Sequence, residues 1–193
     1  MERKTFLKTI VATTTISSIF VPSPKIASAS TSSKDVIQLG TEAPSFNLPN
    51  ARDAGSNVTL EQLSDSGKWT VLYFYPGAFT SGCTLEARGF QRDLENYRSL
   101  NAQIVGVSVD SVEKNAQFCT EEKLDFMLLT DAGGKVSKAY GSALSIPGFG
   151  TFSNRQTYLI DPSGNVKYVF TDVESRIAKH SAEVLQKLKE LQS

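Results

Sequence analysis

An uncharged run of β-branched and aromatic residues, Thr70-Val71-Leu72-Tyr73-Phe74-Tyr75, stops at Pro76-Gly77. No other stretch constrains the fold as much. Six such residues suit a central strand covered on both faces, and proline followed by glycine ends it. A strand of that kind needs helices packed on it, which places the chain among α/β folds. After Gly82 the periodicity becomes helical, with Ala87, Phe90, Leu94 and Tyr97 on one stripe and Arg88, Arg92, Asp93 and Glu95 away from it. Cys83 therefore falls at or just inside a helix N-terminus, where unpaired backbone N–H groups and the positive end of the helix dipole favour a thiolate. It is a candidate nucleophile. The competing reading is a small buried hydrophobe, the usual fate of a free cysteine.

The rest of the chain reads as alternating strands and helices. Ala43 to Leu48 and Val58 to Leu60 are expected to form an N-terminal hairpin around the polar connection Pro49 to Asn57. Thr70 to Tyr75, the helix from Cys83 to about Leu100 and the apolar strand Gln103 to Val109 make a βαβ unit. Asp110 followed by Glu113 resembles a capping box for a second helix over Ser111 to Glu122, with Val112, Ala116 and Cys119 on one face. A strand over Phe126 to Leu129 and a short helix over Lys135 to Tyr140 follow. Gln156 to Ile160 and Val166 to Phe170 flank the turn sequence Asp161-Pro162-Ser163-Gly164. The last helix buries Ile177, Val184, Leu185, Leu188 and Leu191.

Twenty basic residues balance twenty acidic ones, so net charge gives no argument for nucleic acid or an anionic membrane. One histidine and two cysteines offer no metal-ligand spacing, and no metal is expected. Met1 to about Ala29 reads as a leader: Arg3, Lys4 and Lys8, then an apolar stretch broken by threonine and serine, then Ala27-Ser28-Ala29. It is too short and polar for a membrane span. A cleaved export signal, to a periplasm or a thylakoid lumen, is the preferred reading, with a plastid or other organellar targeting peptide and a disordered tail as alternatives. Residues 30–39 read as a flexible lead-in and 40–193 as one domain.

Pro76, Thr80 and Cys83 have the spacing P-x-x-x-T-x-x-C, and this resembles the active-site motif of the peroxiredoxins. The resemblance runs from about Gly40 to the C-terminus and is closest to the bacterioferritin comigratory protein, or Q-type, subfamily, through YFYP, GCT, LLTD and AYG. It implies a thioredoxin fold with an N-terminal β-hairpin extension and a central mixed sheet flanked by helices. It also implies that Cys83 attacks a peroxide, that Pro76 shields it, that the Thr80 hydroxyl hydrogen-bonds peroxide and thiolate, and that Arg155 is the family's active-site arginine. No bound cofactor is implied. The partners implied are a peroxide and thioredoxin or a similar dithiol reductant; a monomer without stable membrane insertion is expected. The chain departs from many members of the subfamily at Arg88, where they place a second cysteine.

Other residues carry two readings each. Arg155 could be a structural ion-pair residue, but beside Cys83 its guanidinium would favour the thiolate, hold peroxide oxygens and stabilise charge on the leaving oxygen. Glu86 orients Arg155 or is a solvated first-turn acid. Cys119 is a resolving cysteine, as in Q-type proteins that carry theirs on this second helix, or plain core. His180, among Lys179, Ser181 and Glu183, is expected at the surface. Acids at 121 and 122 oppose the dipole at the end of the second helix and are expected to leave that turn weakly held. The expected activity is thiol peroxidase, with Cys119 closing an intramolecular disulfide. Alternatives are a one-cysteine peroxidase, and a non-enzymatic redox sensor or holdase. A thiol–disulfide oxidoreductase is disfavoured, since C-x-x-C is absent.

Overall fold

The computed structural model describes residues 37–193 except Ala54. The leader expected up to Ala29 lies outside these residues, as does most of the lead-in over 30–39. The strand that stops at Pro76 is the middle of everything else. This strand, β3 (Trp69–Phe74), pairs in parallel with β4 (Ala102–Ser108), and β4 pairs in parallel with β5 (Met127–Thr130). On its other edge β3 pairs antiparallel with β8 (Gln156–Ile160), which pairs antiparallel with β9 (Val166–Phe170). The result is one mixed sheet of order β5-β4-β3-β8-β9.

Alternation along β3 divides the core. Val71 and Tyr73, with Tyr75 just beyond, face one side, where they meet α2 (Ser81–Ser99), α3 (Val112–Glu121) and α5 (Ile177–Gln192) through Phe90, Tyr97, Phe118, Val184 and Leu188. Leu72 and Phe74 face the other side with Val105, Val107, Phe46 and Leu48. There α1 (Leu60–Asp65) adds Leu60 and Leu63, and Val136 of α4 (Lys135–Ala139) packs beside Tyr140. Burial on both faces accounts for the missing polar alternation in the strand. The thioredoxin-type α/β fold with helices on both faces is as expected.

Several boundaries differ from the sequence reading, each for a local reason. The N-terminal hairpin consists of β1 (Asn47–Pro49) and β2 (Asn57–Thr59), so Ala43 to Phe46 lie outside it and Pro49 ends an edge strand, where a missing N–H costs little. Leu60 opens α1 rather than closing a strand, because Thr59 and Gln62 form a capping box: Gln62 N–H donates to the Thr59 hydroxyl and Thr59 N–H to the Gln62 amide oxygen. The cap of α3 is Ser111, which accepts from Lys114 N–H; Asp110 is drawn elsewhere. Residues 143–153 form an unforeseen hairpin, β6 (Ala143–Ile146) with β7 (Gly150–Ser153), turned at Gly148, whose φ is +81°. The second helix buries Asn115, Phe118 and Cys119, while Val112 and Ala116 are only half-buried.

Candidate active site

The peptide after β3 turns outward and reaches α2 within a few residues. Ala78 N–H donates to the Asp110 carboxylate (2.7 Å), and the same carboxylate accepts from the Ser108 hydroxyl and from Lys114 Nζ. Asp110 is therefore the brace of this loop rather than a helix cap. Thr80 is the N-cap of α2, exposed, with its hydroxyl donating to Gly77 O (3.1 Å). Pro76 is half-buried and Cys83 is 1% exposed, in the first turn of α2. Phe79 has φ +67°, a left-handed conformation that costs an L-residue free energy, and its ring packs edge-on to Phe118 (5.2 Å).

Arg155 comes from the far end of the chain, immediately before β8. Because β8 runs antiparallel to β3, with Gln156 opposite Phe74, its start lies beside the end of β3. The Arg155 side chain is 5% exposed; Nη1 donates to Glu86 Oε2 (2.8 Å) and Nε to Glu174 Oε2 (2.7 Å). Burial works against its charge, but Cys83 and Glu86 outweigh burial and hold the guanidinium above its ordinary pKa. Gly82 makes this approach possible, since a Cβ there would lie 2.6 Å from Arg155 Nη2. Cys83, Glu86 and Arg155 thus come together, with Pro76 and Thr80 in the loop that leads into Cys83.

Glu86 is not a solvated first-turn acid. It is 2% exposed, and burial pushes its pKa up to about 7 against the pull of Arg155. His180 is not at the surface either: it is 1% exposed, its ring edge-on to Phe90 and Phe170, with Nε2 2.8 Å from Thr157 Oγ1 and 3.9 Å from Glu86 Oε1. Burial, then Arg176 and Arg155, lower its pKa to about 4. The two shifts act on stability in opposite directions. For His180 the folded value lies below 6.5, so stability is lost as pH falls from about 6.5 toward 4; for Glu86 the folded value lies above 4.5, so stability is lost as pH rises from about 4.5 to 7. Glu86→Gln removes only the second effect. Relative to the parent, that variant is expected to gain roughly 1 kcal/mol per pH unit between about 4.5 and 7. Urea denaturation across this range gives the difference directly, and a constant offset between the two proteins would contradict it.

Cys119, 6% exposed, lies in the same cluster as Cys83, and the rings of Tyr73 and Tyr75 are within electrostatic reach of both thiols. The two cysteines are not joined in a disulfide. Burial pushes the Cys119 thiol up to about 11, partly offset by Arg52. The end of α3 is fastened, contrary to expectation. Leu124 N–H donates to Cys119 O (2.9 Å) and Lys123 N–H to Thr120 O, with Lys123 left-handed at φ +52°, so the turn closes as a Schellman motif. Arg88 also grips Glu122, donating from Nε (2.5 Å) and Nη2 (3.1 Å).

The AhpC/TSA family model matches residues 39–169, the segment that contains Pro76, Thr80, Cys83, Glu86, Cys119 and Arg155. The chain belongs to the AhpC/TSA family. Among its relatives is the chloroplastic peroxiredoxin Q of Triticum aestivum, 34% identical over 88% of this chain and 76% of the relative. The peroxiredoxin Bcp of Bacillus subtilis is 37% identical over 80% of this chain and 97% of its own. The crystal structure of peroxidoxin BcpB from Mycobacterium tuberculosis superposes with a TM-score of 0.75 at 32% identity, covering 81% of this chain and 99% of that one. The protein is a peroxiredoxin of the Q type and a thiol peroxidase. Among the described residues of this peroxiredoxin, no helix is long and apolar enough to cross a membrane. Reading the sequence missed Gly82, which leaves room for Arg155; Asp110, which holds Ala78 N–H; and the buried His180 beside Glu86.

Proposed function

We propose that Cys83 is the peroxidatic cysteine and Cys119 the resolving one. The observation that supports this most is the buried Arg155 guanidinium facing Cys83 at the first turn of α2. The Cys83 thiolate attacks one peroxide oxygen, a sulfur–oxygen bond forms, and the O–O bond breaks. The departing oxygen takes up a proton and leaves as water or alcohol, and Cys83 is left as a sulfenic acid. The helix N-terminus and Arg155 offset the negative charge on sulfur and then on the leaving oxygen. Thr80, exposed at the N-cap, is placed to turn its hydroxyl from Gly77 O to the bound peroxide. Pro76 keeps one side of the loop dry. The substrates are hydrogen peroxide and alkyl hydroperoxides; a bacterioferritin comigratory protein of Xanthomonas campestris, 29% identical with a TM-score of 0.69, is described as reducing alkyl peroxides.

The Cys119 thiol then attacks the Cys83 sulfur, forming the disulfide and releasing water, and a thioredoxin-like dithiol restores both thiols as it is itself oxidised. Two solved variants of peroxiredoxin Q from Xanthomonas campestris each replace one cysteine by serine, and those positions have the same separation as Cys83 and Cys119. A buried thiol whose pKa is about 11 is a poor nucleophile at neutral pH. Resolution therefore requires the turn around Cys119, and the first turn of α2, to open. The decisive experiment is peroxide consumption with thioredoxin and its reductase, with intact mass after one equivalent of peroxide. Turnover with loss of two hydrogens from a monomer is expected. A stable sulfenic acid, or turnover that persists undiminished in Cys119→Ser, would leave a one-cysteine peroxidase instead.

A further inference from the structure

The reaction leaves Arg88 unused, although it stands where many Q-type peroxiredoxins place a second cysteine. Arg88 lies on α2 five residues after Cys83, and its fork closes on both carboxylate oxygens of Glu122, the C-cap residue of α3, three residues after Cys119. The Glu122 side chain is only 13% exposed, whereas that of Arg88 is 65% exposed. A second contact links the same neighbourhood: Phe79, in the loop just before α2, packs edge-on to Phe118 of α3. We propose that Arg88 and Glu122 form a clamp that sets how fast Cys119 reaches the Cys83 sulfenic acid, and with it how much peroxide the enzyme survives.

The argument rests on Cys119 being the resolving residue. A fork-to-fork pair has two parallel hydrogen bonds, so it resists both rotation and withdrawal of the end of α3. While that end stays closed, Cys119 remains buried and protonated. Two fates then compete for the sulfenic acid. Condensation with the Cys119 thiol gives disulfide and water, whereas a second peroxide transfers an oxygen to give sulfinic acid and water or alcohol. A tighter clamp lengthens the sulfenic lifetime and favours the second. Arg88 is thus a positioning residue for resolution that takes no part in peroxide attack.

The test uses the full reduced chain, mixed rapidly with one equivalent of hydrogen peroxide, quenched with acid and read by intact mass. Arg88→Ala is expected to form the disulfide roughly two- to fivefold faster, the range an exposed ion pair can supply. The peroxide dose that converts half the enzyme to sulfinic acid should rise by a similar factor, with the rate of the first oxidation unchanged. Glu122→Gln should behave likewise. The exchanged pair Arg88→Glu with Glu122→Arg should return the disulfide rate toward the parent's, which a loss of packing alone would not do. A disulfide rate in Arg88→Ala that is equal to or slower than the parent's, or an exchange that restores nothing, overturns the clamp. A parent that never loses two hydrogens overturns instead the assignment of Cys119, and Cys119→Ser run in parallel separates the two failures.

Discussion

Replacing Cys83 by serine is expected to abolish peroxide reduction, lowering turnover by at least about a thousandfold while leaving the fold intact. A serine hydroxyl stays protonated at any pH the protein survives, and no second nucleophile stands at the first turn of α2. Cys119 cannot substitute, because it is buried in α3 and its thiol holds its proton up to about 11. Serine fits the site sterically, so circular dichroism and the thermal midpoint should match the parent within the few tenths of a kcal/mol expected of a near-isosteric change. Peroxide consumption within tenfold of the parent's would reject Cys83 as the nucleophile.

Arg155→Ala is expected to be the next most damaging change, slowing peroxide attack by about a hundredfold or more, the scale of losing a preorganised donor from a developing oxyanion. The alkylation of Cys83 by a neutral reagent serves as the reference, because that reaction needs the thiolate but develops no charge on a leaving peroxide oxygen. Peroxide attack should fall much further than alkylation. Equal slowing would mean that Arg155 acts on sulfur alone. The substitution also strips Glu86 of its partner, and a buried carboxylate without one can cost several kcal/mol unless it takes up a proton. Arg155→Ala combined with Glu86→Gln keeps that cost out of the kinetics and should show the same loss of peroxide specificity.

The parts of the site that were legible in the sequence are those written locally. β3 shows itself by composition, α2 by its apolar stripe, and Cys83 by falling at the change from one period to the other. Glu86 and His180 were legible in principle. Glu86 sits beside Ala87 and four residues before Phe90 on the buried stripe of α2, and His180 falls between Ile177 and Val184 on that of α5. Their polar neighbours hid a position that the period gives away. Asp110 was misread for a different reason: a carboxylate before a helix has a local use and a distant one, and only the folded chain brings Ala78 N–H within 2.7 Å of it. The hairpin at 143–153 has no alternation to announce it, and a pair of left-handed glycines makes its turn.

The antiparallel pairing of β3 with β8 also orders events in the life of the chain. Cys83 emerges early in synthesis, but its charged partner follows 72 residues later and reaches it only when β8 has zipped onto β3. Pairings so distant in sequence are among the slower steps of folding, since a long loop must close before any contact rewards it. Until then the thiol does not have Arg155 beside it. A nascent or partly folded chain therefore carries Cys83 without its guanidinium neighbour, and on the proposed assignment the complete peroxide site comes into being only with the finished sheet. If Cys83 is the peroxidatic residue, its reactivity toward peroxide is then tied to completion of the fold, and the thiol is spared during the interval when nothing could repair it.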